Sequence, residues 1–201
     1  EVFFSTNVSQ DAKHSDVMAF TLGQGGLGLP DRDYYFNTDA RTTQIRNKYP
    51  GYIAGLFRLM GMDSTSAGAR AASVVTLETK LAGASRKIED LRDPYSNYHK
   101  YAIKGLRTLS PGLDWPRYLN TMGVQHVDSV IVGQPEFYKA LDQLIKTTDL
   151  QTLKDYMAYH LVAHFASYLS KPFDDANFNF YGKTISGAEA QHPRWRRALD
   201  A

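Results

Sequence analysis

Residues 23–35 have the sequence Gly-Gln-Gly-Gly-Leu-Gly-Leu-Pro-Asp-Arg-Asp-Tyr-Tyr and separate two kinds of predicted secondary structure. Four glycines and one proline within residues 23–30 predict irregular structure there. Before this stretch, the apolar runs 2–8 and 17–22 predict a β-hairpin, with a polar loop over residues 9–16. After this stretch, the apolar residues mostly recur at the spacing of a helix. The sequence therefore predicts a mostly α fold, a multi-helix lobe with a small β-hairpin element near the N-terminus.

The helical part of the sequence has apolar residues at spacings of three and four. This pattern predicts helices over residues 39–60, 67–81, 115–122, 135–145 and 150–169, with one further strand over 127–132. Pro50-Gly51 lies inside the first of these helices and predicts a bend or break. The second helix is expected to bury one face with Val74, Val75, Leu77 and Leu81, and to leave Glu78 and Lys80 in solvent.

The predicted helix over residues 150–169 is the longest regular apolar pattern in the chain. Its expected buried face comprises Leu153, Met157, His160, Leu161, His164, Phe165 and Tyr168.

Composition places the chain among ordinary globular proteins. Its 201 residues are 43% hydrophobic and 22% charged, with a formal net charge of +2. These values argue against disorder and against a nucleic-acid partner. The absence of cysteine excludes disulfides and thiolate metal ligands. No stretch is long and apolar enough to predict a membrane-spanning segment.

Residues 1–201 are predicted to form a single helical unit, since no linker or repeat interrupts them. The first residue is Glu1, and residues 195–201 resemble the beginning of a helix. We therefore expect an interior segment of a longer protein.

The glycines of the opening stretch also match a dinucleotide-binding spacing, with Gly23, Gly25 and Gly28 in the pattern Gly-x-Gly-x-x-Gly. That motif requires a helix that begins within it, so that backbone N–H groups face the pyrophosphate. Pro30 interrupts the chain at this point. We favour a structural turn with at least one of Gly25, Gly26 or Gly28 at positive φ. We also expect Tyr34 or Tyr35 to be buried against the helices, and Arg32 to bind backbone carbonyls or a carboxylate.

Two histidines, His160 and His164, are separated by one helical turn, which is the spacing of zinc-peptidase ligands. Those enzymes place a glutamate base directly after the first histidine. Leu161 occupies that position here. We therefore favour two histidines packed inside the fold over a metal site.

Acidic and basic clusters are the remaining candidates for a functional site. Glu89, Asp90 and Asp93, and separately Asp174 with Asp175, could be imagined as acid–base pairs, but carboxylates in polar turns are usually solvated or cap backbone groups. The arginines at 194, 196 and 197 flank Trp195, which we expect to anchor a solvated helix start rather than bind nucleic acid. The sequence thus predicts no catalytic, cofactor-binding or metal-binding residue in this chain.

Several motifs resemble the neprilysin and endothelin-converting-enzyme family of zinc metallopeptidases, including its bacterial oligopeptidase members. Residues 27–35 resemble the family signature Leu-Gly-Leu-Pro-x-Arg-Asp-Tyr-Tyr. Further matches follow in order: Leu-Glu-x-x-Leu-Ala at 77–82, Arg-Asp-Pro at 92–94, Tyr-His-Lys at 98–100, Asp-Trp-x-x-Tyr-Leu at 114–119, Gln-Pro-Glu-Phe at 134–137, Leu-x-x-Leu-x-x-Tyr at 150–156 and Trp-Arg-Arg at 195–197, with Ala198 in place of the family's cysteine.

This resemblance implies a fragment of the helical N-terminal portion of a zinc metalloendopeptidase. In the family, the zinc-binding His-Glu-x-x-His helix and the downstream glutamate ligand lie in the C-terminal part. The resemblance implies a parent protein that acts on peptides, binds zinc in that catalytic C-terminal portion and works outside the cytoplasm, in the periplasm or as a secreted protein. This chain alone is predicted to be inactive and to bind no cofactor. A non-catalytic helical binding or scaffold module derived from the family is the alternative.

Overall fold

The computed structural model of the chain describes residues 2–199, except for the side chains of residues 194, 198 and 199. The strands are β1 (Phe4–Asp11), β2 (His14–Gln24), β3 (His99–Ala102) and β4 (Ser129–Val132). The α-helices are α1 (Asp33–Phe36), α2 (Ala40–Leu59), α3 (Ser64–Ala84), α4 (Ile88–Leu91), α5 (Ile103–Leu109), α6 (Trp115–Thr121), α7 (Pro135–Thr147), α8 (Leu150–Phe165), α9 (Lys171–Asn177) and α10 (Arg194–Leu199). A 3-10 helix covers Ala166–Tyr168 and a π-helical segment covers Phe178–Ile185. The mostly α fold class with a small β element is confirmed.

The N-terminal hairpin is present, but its connection is much shorter than predicted. Strands β1 and β2 pair antiparallel from Phe4↔Gln24 to Asp11↔His14, so only residues 12 and 13 connect them. The backbone N–H of Lys13 donates to the Asp11 carboxylate at 2.9 Å, which closes this turn. The predicted polar loop over residues 9–16 is therefore wrong. Its polar side chains lie on the mostly exposed end of a continuous ladder, where alternation of apolar residues is not required.

Two short strands extend the hairpin into a sheet with the order β1-β2-β4-β3. Strand β4 runs parallel to β2, with Leu22 opposite Val132, and antiparallel to β3. The sequence predicted β4 but not β3. Strand β3 contains only His-Lys-Tyr-Ala, and four residues with two polar side chains carry no readable period.

The chain divides into two compact units, one of residues 1–36 and 75–154 and the other of residues 37–74 and 155–201. The first unit contains the sheet. Its core includes an aromatic cluster in which Phe4 lies 5.8 Å from Trp115, 5.2 Å from Tyr118 and 5.5 Å from Tyr138, between ring centroids. The buried Trp115 indole donates to the hydroxyl of Ser110 at 3.1 Å. Folding as one unit over residues 1–201 stays a prediction.

The second unit is helical and has a tyrosine-rich core. Tyr52 stacks on Phe180 with ring centroids 4.7 Å apart, and the hydroxyls of Tyr49 and Tyr159 are 2.9 Å apart. Burial raises the pKa of Tyr52 well above its usual value, so its hydroxyl remains a neutral donor to Asn177 at 3.1 Å. These hydroxyls have partners inside the core, as buried tyrosines require.

Helix α2 begins where the sequence predicted, with the Asp39 carboxylate accepting from the N–H of Thr42 at 2.9 Å. It ends next to Gly61, whose φ of 96° stops the helix. A break at Pro50 is wrong, because α2 continues through this residue, and a bend there stays a prediction. Its buried side chains, among them Tyr49 and Ile53, lie on both sides of the proline, and their packing offsets a local cost of about 3 kcal/mol.

The buried faces of the two other long helices differ from the prediction. On α3, Val74, Leu77 and Leu81 are buried as expected, whereas Val75 is only half-buried. Glu78, which was predicted to be solvated, is fully buried. On α8, the predicted apolar face is largely exposed, and the buried residues are Asp155, Tyr156 and Tyr159. In both helices a carboxylate lies inside the protein.

Candidate functional site

The Gly-Leu-Pro stretch adopts a defined turn that packs on helix α3. Gly26 has a φ of 78°, which confirms the predicted positive φ within the glycine cluster. Leu29 is buried, and its backbone N–H donates to the hydroxyl of Tyr35 at 3.2 Å. The same hydroxyl donates to the carboxylate of Glu78 at 2.7 Å. One buried tyrosine, as predicted for Tyr34 or Tyr35, thus connects the turn to the helix.

Arg32 forms a second connection to α3. Its Nε donates to the carbonyl of Ala82 at 3.2 Å, and its guanidinium lies 3.5 Å from the carboxylate of Asp33. The guanidinium also lies over the ring of Phe36, 5.1 Å from the centroid. These contacts confirm the prediction that Arg32 binds backbone carbonyls or a carboxylate. Arg32 therefore holds the turn against α3 and has a structural role.

Gln24, at the end of β2, lies in a reciprocal amide network. Its backbone N–H donates to the side chain of Gln134 at 2.8 Å, and its own side-chain oxygen accepts from the N–H of Arg86 at 2.7 Å. The amide nitrogen of Gln134 donates to Asn97 at 2.7 Å, and Arg86 donates to the same Asn97 oxygen at 3.1 Å. Sequence reasoning missed this network, because its members come from four separate segments.

Gly23 and Gly25, which match the dinucleotide-binding spacing, pack against the neighbouring strand β1. A Cβ at residue 23 would lie 2.5 Å from the hydroxyl of Ser5, and a Cβ at residue 25 would lie 3.0 Å from the backbone of Phe4. The next helix, α1, begins only at Asp33 and has four residues. Close packing against β1 therefore accounts for Gly23 and Gly25.

The two histidines of α8 lie near the surface. His164 is exposed and His160 is partly exposed, so the expectation that both pack inside is wrong. The ring of His160 lies 4.4 Å from that of Tyr156 and 4.9 Å from that of Tyr159. His164 contacts Phe165 with ring centroids 4.8 Å apart. Both histidines therefore contact aromatic rings of their own helix.

Zinc does not fit the residues that the structure describes. Within residues 2–199, no group of three or more histidine, aspartate or glutamate side chains is placed to hold a metal ion. A zinc site in a peptidase needs three protein ligands and an open position for water. Two histidines on one helix do not meet that requirement.

The acidic candidates have structural partners or lie in solvent. Asp93 accepts from the backbone N–H of Tyr95 at 2.9 Å, and this hydrogen bond lowers the pKa of its carboxyl group. Asp174 binds the guanidinium of Arg197 at 2.9 and 3.0 Å, whereas Asp175 pairs with Lys171. The adjacent aspartates therefore belong to separate ion pairs and do not form an acid–base pair.

The Asp174–Arg197 pair explains the basic cluster near the C-terminus. Helix α10 is present, but Trp195 is 67% exposed and does not anchor it. The anchor is Arg197, which binds Asp174 and also donates to the carbonyl of His192 at 3.1 Å. The predicted arginine side chain at position 194, and residues 200 and 201, lie outside the described part.

A cavity of about 590 Å³ opens beside the aromatic cluster of the first unit. Its lining includes the large apolar side chains of Phe4, Leu113, Trp115, Tyr118 and Met122. Sequence reasoning missed the cavity because β1 and α6 are far apart in the chain. It can admit an apolar group. Two charged residues, Asp114 and Arg117, also line it, and the Asp114 carboxylate accepts from the backbone N–H of Arg117 at 3.1 Å as the cap of α6.

Comparison with known proteins places this fold among the metallopeptidases. The structure of the zinc metalloprotease Zmp1 of Mycobacterium tuberculosis in its open state matches the whole chain with a TM-score of 0.94 and 28% identity. The match covers 31% of that protein. The endothelin-converting enzyme 1 of Cavia porcellus is 33% identical over 199 residues, and Neprilysin-3 of Drosophila melanogaster is 30% identical over 204 residues.

The family match covers the full sequence. The N-terminal-domain model of "Peptidase family M13" matches residues 1–201. The chain therefore belongs to peptidase family M13 and corresponds to its N-terminal domain. Each of the two enzyme matches includes 96% of this chain and 26% of the relative, so the chain spans about a quarter of their length. No helix within the described residues has the length and hydrophobicity needed to cross a membrane.

Proposed function

We propose that this chain is part of a zinc metalloendopeptidase that cleaves peptides, and that it forms part of the helical lobe enclosing the substrate chamber. The observation that supports the proposal is the agreement of fold with a zinc metalloprotease over the whole chain. The family match supports it independently. In this proposal the chain supplies shape and stability, while the catalytic C-terminal portion of the same protein supplies the metal and the bond-breaking groups.

The chemistry of the described residues is consistent with this division of labour. Hydrolysis of a peptide bond by a metallopeptidase needs an activated water, a general base and a group that stabilises the oxyanion. The carboxylates Asp93, Asp174 and Asp175 bind backbone or cationic groups, and Glu78 is buried behind Tyr35. None of these carboxylates lies beside a histidine in a metal-binding group within the described part. We therefore assign no catalytic, cofactor-binding or metal-binding residue to this chain.

The proposal extends to the partners and the compartment of the parent protein. The partners are peptide substrates, which the parent binds in its chamber, and the catalytic portion of the same polypeptide. The resemblance to the family favours an extracytoplasmic parent, either periplasmic or secreted. A nucleic-acid role has no support from the formal charge of +2.

The parent reading frame gives the first test. It should encode His-Glu-x-x-His and a later glutamate outside residues 1–201. The full-length protein should then cleave a quenched fluorescent peptide, lose this activity on chelation and regain it with zinc. A reading frame without these residues would instead support the alternative, a non-catalytic binding or scaffold module.

A second test uses the 201-residue chain. It should bind no stoichiometric zinc and should not cleave the peptide. Stoichiometric zinc that is lost in both His160→Ala and His164→Ala would contradict the proposal, because the metal would then lie in this chain. His126→Ala, which changes an exposed histidine outside α8, is the matched control.

A further inference from the structure

Helix α8 and the 3-10 helix that follows it expose a row of large apolar side chains, which we call the outer stripe. It comprises Met157 (50% exposed), Leu161 (58%), Phe165 (46%) and Tyr168 (67%). Their spacings of four, four and three residues place them on one face of a helix. The outer stripe is therefore a continuous surface feature.

The outer stripe lies opposite the face that α8 buries. The buried residues are Asp155, Tyr156 and Tyr159. At about 100° per residue, the centres of the two sets are about 180° apart around the helix axis. The second unit thus already covers one face of α8 and leaves an equally apolar face in contact with solvent.

The sequence around the stripe lacks the charges that a solvent-facing helix normally has. Residues 156–170 contain no Asp, Glu, Lys or Arg. An amphipathic surface helix places charged and polar residues opposite its buried face. A helix that is apolar all around is typical of one buried on all sides, and large exposed apolar patches mark interaction surfaces.

The relatives indicate what covers the stripe. The same fold, with a TM-score of 0.94, occupies 31% of the mycobacterial metalloprotease, and the chain covers 26% of endothelin-converting enzyme 1. More than two thirds of each relative is therefore additional polypeptide. We propose that the outer stripe of α8 is the docking face for an apolar segment of the remaining parent polypeptide; this inference rests on the proposed function.

Methionine oxidation of the full-length parent protein tests the docking directly. Dilute hydrogen peroxide converts exposed methionine to the sulfoxide, and mass spectrometry gives the rate at each site. An added methionine dipeptide provides the reference rate for full exposure. We expect Met157 to be oxidised at least roughly fivefold more slowly than the dipeptide, because its side chain is covered. Oxidation within about twofold of the dipeptide would overturn the inference.

A matched pair of variants tests the same surface in the full-length protein. Leu161→Glu places a charge in the stripe and should raise the Met157 oxidation rate towards that of the dipeptide. Ser167→Glu places the same charge at an exposed position beside the stripe and should leave that rate unchanged. Equal rates in both variants and the parent would overturn the inference. If Leu161→Glu does not fold, the oxidation rate of Met157 in the unsubstituted protein still tests whether the stripe is covered.

Two further outcomes separate this inference from its alternatives. Protection of Met157 that disappears on dilution would show that a second copy covers the stripe, and it would overturn the inference. The peptidase assay is read independently. An active full-length protein with an exposed Met157 rejects only the docking face, whereas an inactive protein with a protected Met157 rejects only the proposed activity.

Discussion

Helices α3 and α8 look alike in sequence but bury different kinds of residue. Both have apolar residues at helical spacing, yet α3 buries its apolar face and α8 exposes most of the face predicted to be buried. Each helix also buries a carboxylate. Glu78 accepts from the hydroxyl of Tyr35 at 2.7 Å, and Asp155 accepts from the guanidinium of Arg70 at 2.9 Å. The comparison shows that apolar periodicity alone does not identify the buried face of a helix.

The physical reason is the high cost of burying a polar group without a partner. A carboxylate that is buried therefore needs a donor inside the protein, and both Glu78 and Asp155 have one. The donors are 43 residues away from Glu78 and 85 residues away from Asp155 in the sequence. Local periodicity contains no information about partners at those distances.

Truncation of one leucine on each helix tests the comparison between α3 and α8. It should give the largest change in the free energy of unfolding. Leu81 on α3 is fully buried, whereas Leu161 on α8 is 58% exposed. Leu81→Ala should lower the free energy of unfolding of the 201-residue chain by about 2–5 kcal/mol, through lost burial and a cavity. Leu161→Ala should change it by less than about 0.5 kcal/mol. Urea unfolding followed by circular dichroism measures both. Equal losses would mean that the outer stripe is covered within this chain.

Removal of the Tyr35 hydroxyl should have the next largest effect. Tyr35→Phe deletes the donor to Glu78 and the acceptor for the N–H of Leu29. Because Glu78 is fully buried, we expect a loss of about 1–3 kcal/mol in the free energy of unfolding. Tyr95→Phe is the matched control, since Tyr95 is 81% exposed. A loss no larger than that of the control would show that the hydroxyl does not hold the turn on α3.

Removal of the donor to Asp155 should lower the free energy of unfolding by less than removal of the Tyr35 hydroxyl. Arg70→Met removes the guanidinium beside Asp155 and keeps much of the aliphatic side chain. The arginine side chain is 39% exposed, so water can partly replace it, and we expect a loss of about 1 kcal/mol. A double-mutant cycle with Asp155→Asn isolates the pair. A coupling energy near zero would mean that the guanidinium of Arg70 does not stabilise the buried carboxylate of Asp155.

Much of the fold was predictable because its signals are local. Asp39 and Gly61 bound α2, Gly26 has positive φ, and Tyr35 and Arg32 bind α3 as expected. The errors at Pro50 and at β3 depend on contacts between distant segments. Core packing carries α2 through Pro50, and antiparallel pairing with β4 defines β3.

The candidate site was less predictable from the residues alone. The residues favoured structural roles for the glycines and the acidic clusters, and the geometry assigns such roles to Gly23, Gly25 and Asp174. The prediction for the histidines was wrong in its detail, because the period of α8 suggested that their face is buried, whereas the helix buries Asp155, Tyr156 and Tyr159. Function could be inferred only from the resemblance to the family, since chemistry-bearing clusters are lacking in the described part.

A third buried carboxylate extends the comparison to the hairpin and should have the smallest effect at neutral pH. Asp11 accepts from the backbone N–H of Lys13 at 2.9 Å, from the hydroxyl of Tyr98 at 3.0 Å and from the ammonium of Lys100 at 3.1 Å. Foremost through the Lys13 N–H, these donors lower the pKa of Asp11 to about 2. In an unfolded chain an aspartate has a pKa of about 3.9.

This difference defines the pH range in which Asp11 stabilises the fold. A carboxyl group with a lowered pKa binds fewer protons in the folded state, so its contribution is fully present above about pH 4 and is lost as the pH falls towards 2. Asp11→Asn should therefore be less stable than the parent sequence at pH 6, and the gap should narrow between about pH 4 and 2. Asp16→Asn, at an exposed position of β2, should show no such narrowing. A gap that stays constant down to pH 2 would mean that the charge on Asp11 does not stabilise the hairpin, and that its hydrogen bonds act equally well with the neutral amide.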